Sequence, residues 1–400
     1  MAISDGLERM NKMLEMLGNP EKDFRVIHIA GTNGKGSTAY MIASILEQAG
    51  YSLGLYTSPH LIDICERIQI WSNENHEMID SNDYKRFEDK VNAAHSKITE
   101  LGDLHYFERV TAIAYLYFAE KKPDYVILEC GLGGRLDSTN TIERPLVSVI
   151  TQIGLDHTAE LGETIYEIAK EKAGIIKPNV PIVSQTSDAV AKKIFKDRAS
   201  ELGSKFVDAI ELRSEFEEYE LGMKGIHQID NAATAVAAIK TAEISVSDEA
   251  IEKGLAKAVN PGRFEILAEN PYLIIDGAHN NDAIKASILT IQNFIKINKI
   301  KKYIIVLGCM QDKDYSMMIR TLCTELRGCD FATVGIDDIR SADPHTLGEC
   351  FVNNDRNCTV YDEVDDSIRE LSEQNYETVI YLGSIYLAGA VKQIIKKRKG

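Results

Sequence analysis

The segment Gly31-Thr32-Asn33-Gly34-Lys35-Gly36-Ser37-Thr38 sets glycines, a lysine and hydroxyls directly after an apolar run and directly before a helical pattern. Glycines there let the backbone curl so that successive N–H groups and a helix N-terminus face phosphate oxygens. Lys35 would add a charge toward the β and γ phosphates, and the Ser37 hydroxyl is suited to ligate Mg²⁺. The segment departs from the common G-x-x-x-x-G-K-[ST] form, because Gly36 separates the lysine from the serine. A glycine-rich turn alone is often only a turn. The strand before it, the lysine and the hydroxyl together make this one a phosphate loop.

Two further runs end on residues of the same chemistry. Tyr125-Val-Ile-Leu-Glu129 closes on a carboxylate, the position from which an acidic residue in a nucleotide-binding sheet reaches the metal on the phosphates. Val147 to Thr151 is followed by Ile153-Gly154-Leu155-Asp156-His157-Thr158, and a neutral imidazole there is an acceptable ligand for a second divalent ion. Glu171-Lys172-Ala173-Gly174-Ile175 reads by itself as a helix end with a glycine stop. Gly131-Leu-Gly133-Gly134-Arg135 resembles a dinucleotide fingerprint, but Leu136 sits where the third glycine belongs and the loop follows a later strand, which argues against a dehydrogenase.

The elements that must carry these residues alternate. Short apolar runs at Arg25–Ala30, Leu53–Tyr56, Tyr125–Cys130, Val147–Thr151 and Pro181–Ser184 are separated by helical stretches such as Ser37–Gln48 and Val110–Glu120, with an Ala-rich helix from His227 to Thr241. That is the pattern of a mostly parallel sheet with helices on both faces. Asn260-Pro261-Gly262 and Glu269-Asn270-Pro271 interrupt it, and the alternation restarts at Tyr272–Asp276, Tyr303–Gly308, Phe331–Gly335 and Thr378–Gly383. The expected layout is α/β throughout: an N-terminal phosphate-loop domain over residues 1–265 and a smaller Rossmann-like domain over 266–400, with a ligand cleft between them.

Composition limits the partners. The chain has 400 residues, 45 Lys and Arg against 61 Asp and Glu, and a formal charge of −16. Broad capture of a nucleic-acid backbone is excluded, so an anionic ligand needs a local, built site. Seven irregularly spaced cysteines suggest neither a disulfide framework nor a zinc knuckle, and a reducing cytoplasm is the expected setting. No apolar run is long enough for a membrane span, and no export signal opens the chain. Leu7, Met10, Leu14 and Leu17 instead mark an amphipathic first helix, and the closing Lys-Lys-Arg-Lys reads as cations at a helix C-terminus.

With these motifs in view, the chain resembles the folylpolyglutamate synthase and dihydrofolate synthase family of the Mur ligase superfamily. The resemblance is carried in order by Gly31-TNGKGST, Tyr56-TSPHL, Phe107-Glu108, Leu128-ECGLGGRLDSTN, Ile153-GLDHT, Glu171-KAGIIKP, His227-QIDNAATA, Pro261-Gly262-Arg263, Asp276-GAHN and Gly383-Ser384-Ile385-Tyr386, across essentially the whole chain. It implies an ATP-dependent ligase that joins L-glutamate to a folate-type carboxylate through an acyl phosphate. ATP would be held by Thr32, Asn33, Gly34, Lys35, Gly36, Ser37 and Thr38, with Gln228, Asn231, Arg263, Asp276 and His279.

The resemblance further implies magnesium on Ser37, Glu129 and His157, and on Lys172 carried as a carbamate, giving two metal sites, with a monovalent cation besides. Thr57, Ser58, Pro59 and His60 would lie near the pterin-bearing substrate, and Lys35, Lys172, His157 and Arg263 would act in catalysis. Asn281 stands where many relatives have proline after Asp-Gly-Ala-His-Asn, which leaves the shape of that loop open. Cell-wall relatives carry a further N-terminal domain, and the short stretch before Gly31 gives that kind of substrate no home. A monomer acting on small molecules is expected. The alternatives are an amide ligase for another carboxylate and a nucleotide-binding regulator.

Overall fold

A computed structural model describes residues 4–399. The chain divides into two units, one comprising the chain up to Gly222 together with Gln228–Val259, the other Met223–His227 together with the chain from Asn260 onward.

Among the described residues the first unit is built on an eight-stranded sheet. Its strands are β1 (Val26–Ala30), β2 (Leu53–Tyr56), β3 (Ile68–Ser72), β4 (Asn75–Met78), β5 (Tyr125–Glu129), β6 (Val147–Ile150), β7 (Ile182–Ser184) and β8 (Phe206–Asp208), in the order β4-β3-β2-β5-β1-β6-β7-β8. All pairings are parallel except β2 with β3 and β3 with β4. The helices are α1 (Ser4–Met16), α2 (Lys35–Gln48), α3 (Ser81–His95), α4 (Tyr106–Lys121), α5 (Thr158–Leu161), α6 (Ile165–Ala173), α7 (Ala189–Glu201), α8 (His227–Thr241) and α9 (Asp248–Lys257). Strands β1, β5 and β6 are buried at every position, as expected for parallel strands covered on both faces.

The β3–β4 hairpin was not foreseen in the sequence. Its turn residues Asn73 and Glu74 both have positive φ, 52° and 63°. Such turns favour Asn-Gly, and glutamate at the second place hides the signal. Helix α4 starts four residues before the expected Val110, at Tyr106. The cause is a capping contact in which the Glu108 carboxylate accepts from the His105 N–H at 2.8 Å.

The second unit carries β9 (Glu265–Glu269), β10 (Tyr272–Asp276), β11 (Tyr303–Leu307), β12 (Asp330–Val334), β13 (Cys358–Tyr361) and β14 (Thr378–Leu382), in the order β13-β12-β11-β14-β10-β9. Only β9 with β10 is antiparallel. Helices α10 (Asn281–Asn298), α11 (Tyr315–Glu325), α12 (Pro344–Val352), α13 (Val364–Ser372) and α14 (Ile385–Lys399) complete it. Asn281 opens α10 behind the cap Asn280, whose side chain accepts from the Ala283 N–H. The first helical position also suits proline, so Asn281 keeps the helix start that a proline there would give. No helix among the described residues is long and apolar enough to cross a membrane.

Candidate active site

Parallel pairing of β1 with both β5 and β6 brings three strand ends to one edge of the sheet. The loop after β1 is stapled to the loop after β6: the N–H groups of Thr32 and Asn33 donate to the Gln152 carbonyl at 2.9 and 3.2 Å, and the Thr32 hydroxyl donates to Gly154 O at 3.1 Å. Thr151 Oγ1 donates to Asn33 O at 2.8 Å. The loop then turns into α2 at Gly34, which has φ 89°. A side chain there would be strained, and its Cβ would lie 2.5 Å from Asn231 Oδ1. The first N–H groups of α2 have no partner within the helix, so they form a donor cluster at the strand ends.

Lys35, at the first position of α2, folds its amine back to within 3.3 Å of the Thr32 carbonyl. Ser37 and Thr38 are both buried. Glu129, 3% exposed at the end of β5, accepts from the Ser58 N–H at 3.0 Å through Oε2. One carboxylate therefore joins the loop after β2 to the end of the neighbouring strand. Within that first loop Thr57 is buried, and His60 Nδ1 accepts from Arg67 Nε at 2.9 Å. Burial, followed by the Arg67 charge, lowers the His60 pKa.

Lys172, on α6, is 3% exposed and donates from Nζ to Gly31 O at 2.9 Å. Burial, then the Lys35 charge, pushes its pKa from 10.5 down to about 7. The helix is held in place by close backbone approach: a Cβ on Gly134 would lie 2.9 Å from the Glu171 carbonyl, so only glycine lets the two segments touch. The Arg135 N–H donates to that carbonyl at 2.7 Å and the Arg135 guanidinium pairs with the Glu171 carboxylate at 2.9 Å. Asp137 anchors the Gly131–Arg135 loop, accepting from the N–H groups of Gly131 and Leu132 at 2.9 Å each and from the Thr139 hydroxyl at 2.5 Å. Its burial raises its pKa.

On α8, Gln228 and Asn231 are both 2% exposed. Asn231 Nδ2 donates to Gln228 Oε1 at 2.8 Å, and Gln185 Nε2 donates to Asn231 Oδ1 at 3.0 Å. They form a buried amide network against the phosphate loop. His157 stands exposed at the start of α5 with φ 51°, and its N–H donates to the Asp156 carboxylate at 2.9 Å. In the second unit Asp276 ends β10, accepts from Ser287 Oγ at 2.5 Å, and has its pKa raised by burial. His279 Nδ1 lies 2.8 Å from Gly277 O, a contact that puts the proton on Nδ1. Pro59 follows Ser58 in the exposed part of its loop.

Gln152 and Gln185 were missed in the sequence. Gln185 directly follows β7 and Gln152 comes two residues after β6, and a place just beyond a parallel strand end would have marked both.

Residues 29–207 match the Mur ligase middle domain, and residues 262–385 match the Mur ligase, glutamate ligase domain. Fold and site together define an ATP-dependent ligase of the Mur type. A dihydrofolate synthase/folylpolyglutamate synthase of Bacillus subtilis is 35% identical, over 98% of this chain and 96% of its own. Escherichia coli FolC in complex with DHPP and ADP has a TM-score of 0.86 at 30% identity, covering 99% of this chain and 94% of that one. A bifunctional folylpolyglutamate synthase/dihydrofolate synthase of Yersinia pestis, complexed with AMPPNP and a Mn ion, has a TM-score of 0.84 at 30% identity, over 98% and 93%. The chain belongs to the folylpolyglutamate synthase and dihydrofolate synthase family.

Proposed function

We propose that this chain joins L-glutamate to a folate-type carboxylate, that of dihydropteroate or of a reduced folyl-glutamate, while ATP is converted to ADP and phosphate. A carboxylate and an amine do not condense in water, because the carboxylate is a poor electrophile and the amine is protonated. In the proposed reaction a carboxylate oxygen attacks the γ-phosphorus, the bond to the bridging oxygen breaks, and ADP leaves an acyl phosphate. The neutral amine of glutamate then attacks the acyl carbon and loses a proton, and the bond to phosphate breaks from the tetrahedral intermediate.

Lys35 and the N–H groups opening α2 hold the triphosphate and stabilise the charge that develops on it. Gln228 and Asn231 are assigned to the same nucleotide, as are Arg263, Asp276 and His279 of the second unit, and Arg263 also serves the transfer step. Thr57 to His60 face the acceptor. Ser37 and Glu129 would hold magnesium, and a buried carboxylate and hydroxyl fit that hard cation. The metal supplies charge neutralisation on the phosphates. His157 and a carbamate on Lys172 are assigned to a second such ion. The carbamate forms when the neutral Lys172 amine attacks CO₂ and loses a proton. A cytoplasmic monomer with a monovalent cation completes the reading.

The observation that carries it is the register of β1 against β5, with Ile29 opposite Glu129, which sets the lysine-bearing loop and the carboxylate at one sheet edge. The test is ADP release in the presence of glutamate, comparing 7,8-dihydropteroate with tetrahydrofolate. Turnover with either supports the reading, and turnover with neither overturns it.

A further inference from the structure

Arg263 sits in a turn whose backbone is unusual on either side of it. Asn260-Pro261-Gly262-Arg263 closes with the Arg263 N–H donating to the Asn260 carbonyl at 3.2 Å, and Gly262 takes φ 73°. Proline and glycine at the central places are the pattern of a type II turn, which requires that positive φ. Phe264 then takes φ 45°. For a bulky side chain this left-handed conformation persists only where the surroundings impose it. Strand β9 begins at the next residue, Glu265, so strand alternation does not place Arg263.

Contacts within the second unit impose the conformation. The Phe264 ring, 5% exposed, packs edge-on against Phe294 of α10 with ring centres 5.6 Å apart. The Gly277 N–H donates to the Gly262 carbonyl at 2.8 Å, which ties the turn to the loop that follows Asp276. The Glu265 carboxylate makes a bridge: Oε2 accepts from the Gly262 N–H at 2.8 Å, and Oε1 accepts from Lys392 Nζ of α14 at 2.7 Å.

Exposure decides what that bridge is for. The Lys392 and Glu265 side chains are 30% and 20% exposed, and an ion pair so open to water adds little to the stability of a fold. The bond from the Gly262 N–H to the carboxylate is charge-assisted, and a cation on the second oxygen keeps that carboxylate aimed at Gly262. The bridge therefore acts on the geometry of the turn more than on the free energy of folding.

We propose that Lys392 is a positioning residue, acting through Glu265 on the Gly262–Phe264 turn to hold Arg263 in its working place. The inference rests on the role given to Arg263 in the ligase reading above. Neither Lys392 nor Glu265 is assigned a contact with a substrate.

The test measures kcat/KM for ATP with glutamate and whichever of 7,8-dihydropteroate and tetrahydrofolate the wild type uses. Single turnovers with enzyme in excess over labelled ATP read even slow variants. In Lys392→Met the value should fall roughly 10-fold, the size of one charge-assisted hydrogen bond, while the urea midpoint stays near that of the wild type. Lys392→Arg should restore most of it. Glu265→Gln keeps an acceptor for Gly262 but loses the ion pair, and should fall in the same way. In an Arg263→Met chain neither change should cost anything further, because a residue that acts only through Arg263 has nothing left to position. Equal losses in both backgrounds, which a merely structural role would give, overturn the proposal. So does an unchanged value in Lys392→Met and Glu265→Gln. An Arg263→Met chain as active as the wild type also overturns it, and leaves the ligase reading standing. That reading fails separately, if the wild type turns over neither acceptor.

Discussion

The amine of Lys172 and the carbonyl of Gly31, 141 residues apart in the chain, meet at 2.9 Å in the buried floor of the phosphate loop. The contact ties α6 to the turn after β1 and sets Lys172 close enough to Lys35 for the two charges to oppose each other. Only a neutral amine nucleophile forms a carbamate, and this site favours neutrality.

That pairing gives stability a pH dependence of known sign. Lys172 has a folded pKa of about 7 against an ordinary 10.5, so between these values the unfolded chain holds a proton that the folded chain releases. Stability should therefore rise with pH across that window. In Lys172→Met this contribution is gone. Urea midpoints at pH 7 and pH 9 should differ less in the variant than in the wild type, and equal slopes would refute the assignment.

Lys35 is expected to serve phosphoryl transfer rather than the fold, since its amine makes one long contact, 3.3 Å, to Thr32 O. Lys35→Ala should lose about 10²-fold or more in the rate of ADP release, the scale of one preorganised donor. Its urea midpoint should stay near that of the wild type. Normal turnover would show that the loop is not a phosphate loop.

Gly34 tests the turn itself. Gly34→Ala pays about 1–2 kcal/mol for the left-handed backbone and adds a clash with Asn231. Asn231→Ala in the same chain should remove the clash and leave the strain. A thermodynamic cycle on the two should therefore give a favourable coupling, whereas strict additivity would mean the loop moves away freely.

Arg9 and Glu108 form a buried bidentate pair at 3.0 and 2.8 Å, 99 residues apart. Arg9→Met alone strands a buried carboxylate and should cost about 3–5 kcal/mol. The double change Arg9→Met and Glu108→Leu should recover most of that, because two apolar groups leave no uncompensated charge. Chemical denaturation of the three chains measures both effects.

Local order was legible without coordinates. The runs expected over Arg25–Ala30, Tyr125–Cys130 and Val147–Thr151 contain the strands β1, β5 and β6, the phosphate loop lies between β1 and α2, and the Ala-rich stretch is α8. Those features depend on neighbours in sequence: apolar periodicity, glycine at a turn, a cap at a helix end. The β3–β4 hairpin escaped because Glu74 takes a backbone conformation that its residue type does not announce.

What tertiary structure alone decided is which distant groups share a space. Strand order put β5 beside β1 and so Glu129 beside the loop of Lys35; packing of α6 put Lys172 under Gly31 and drew its pKa down. Asn231 sets the limit at Gly34. Residue types in the chain carry the donors and acceptors, but desolvation and Coulomb effects depend on separations in space, and those exist only once the sheet is assembled.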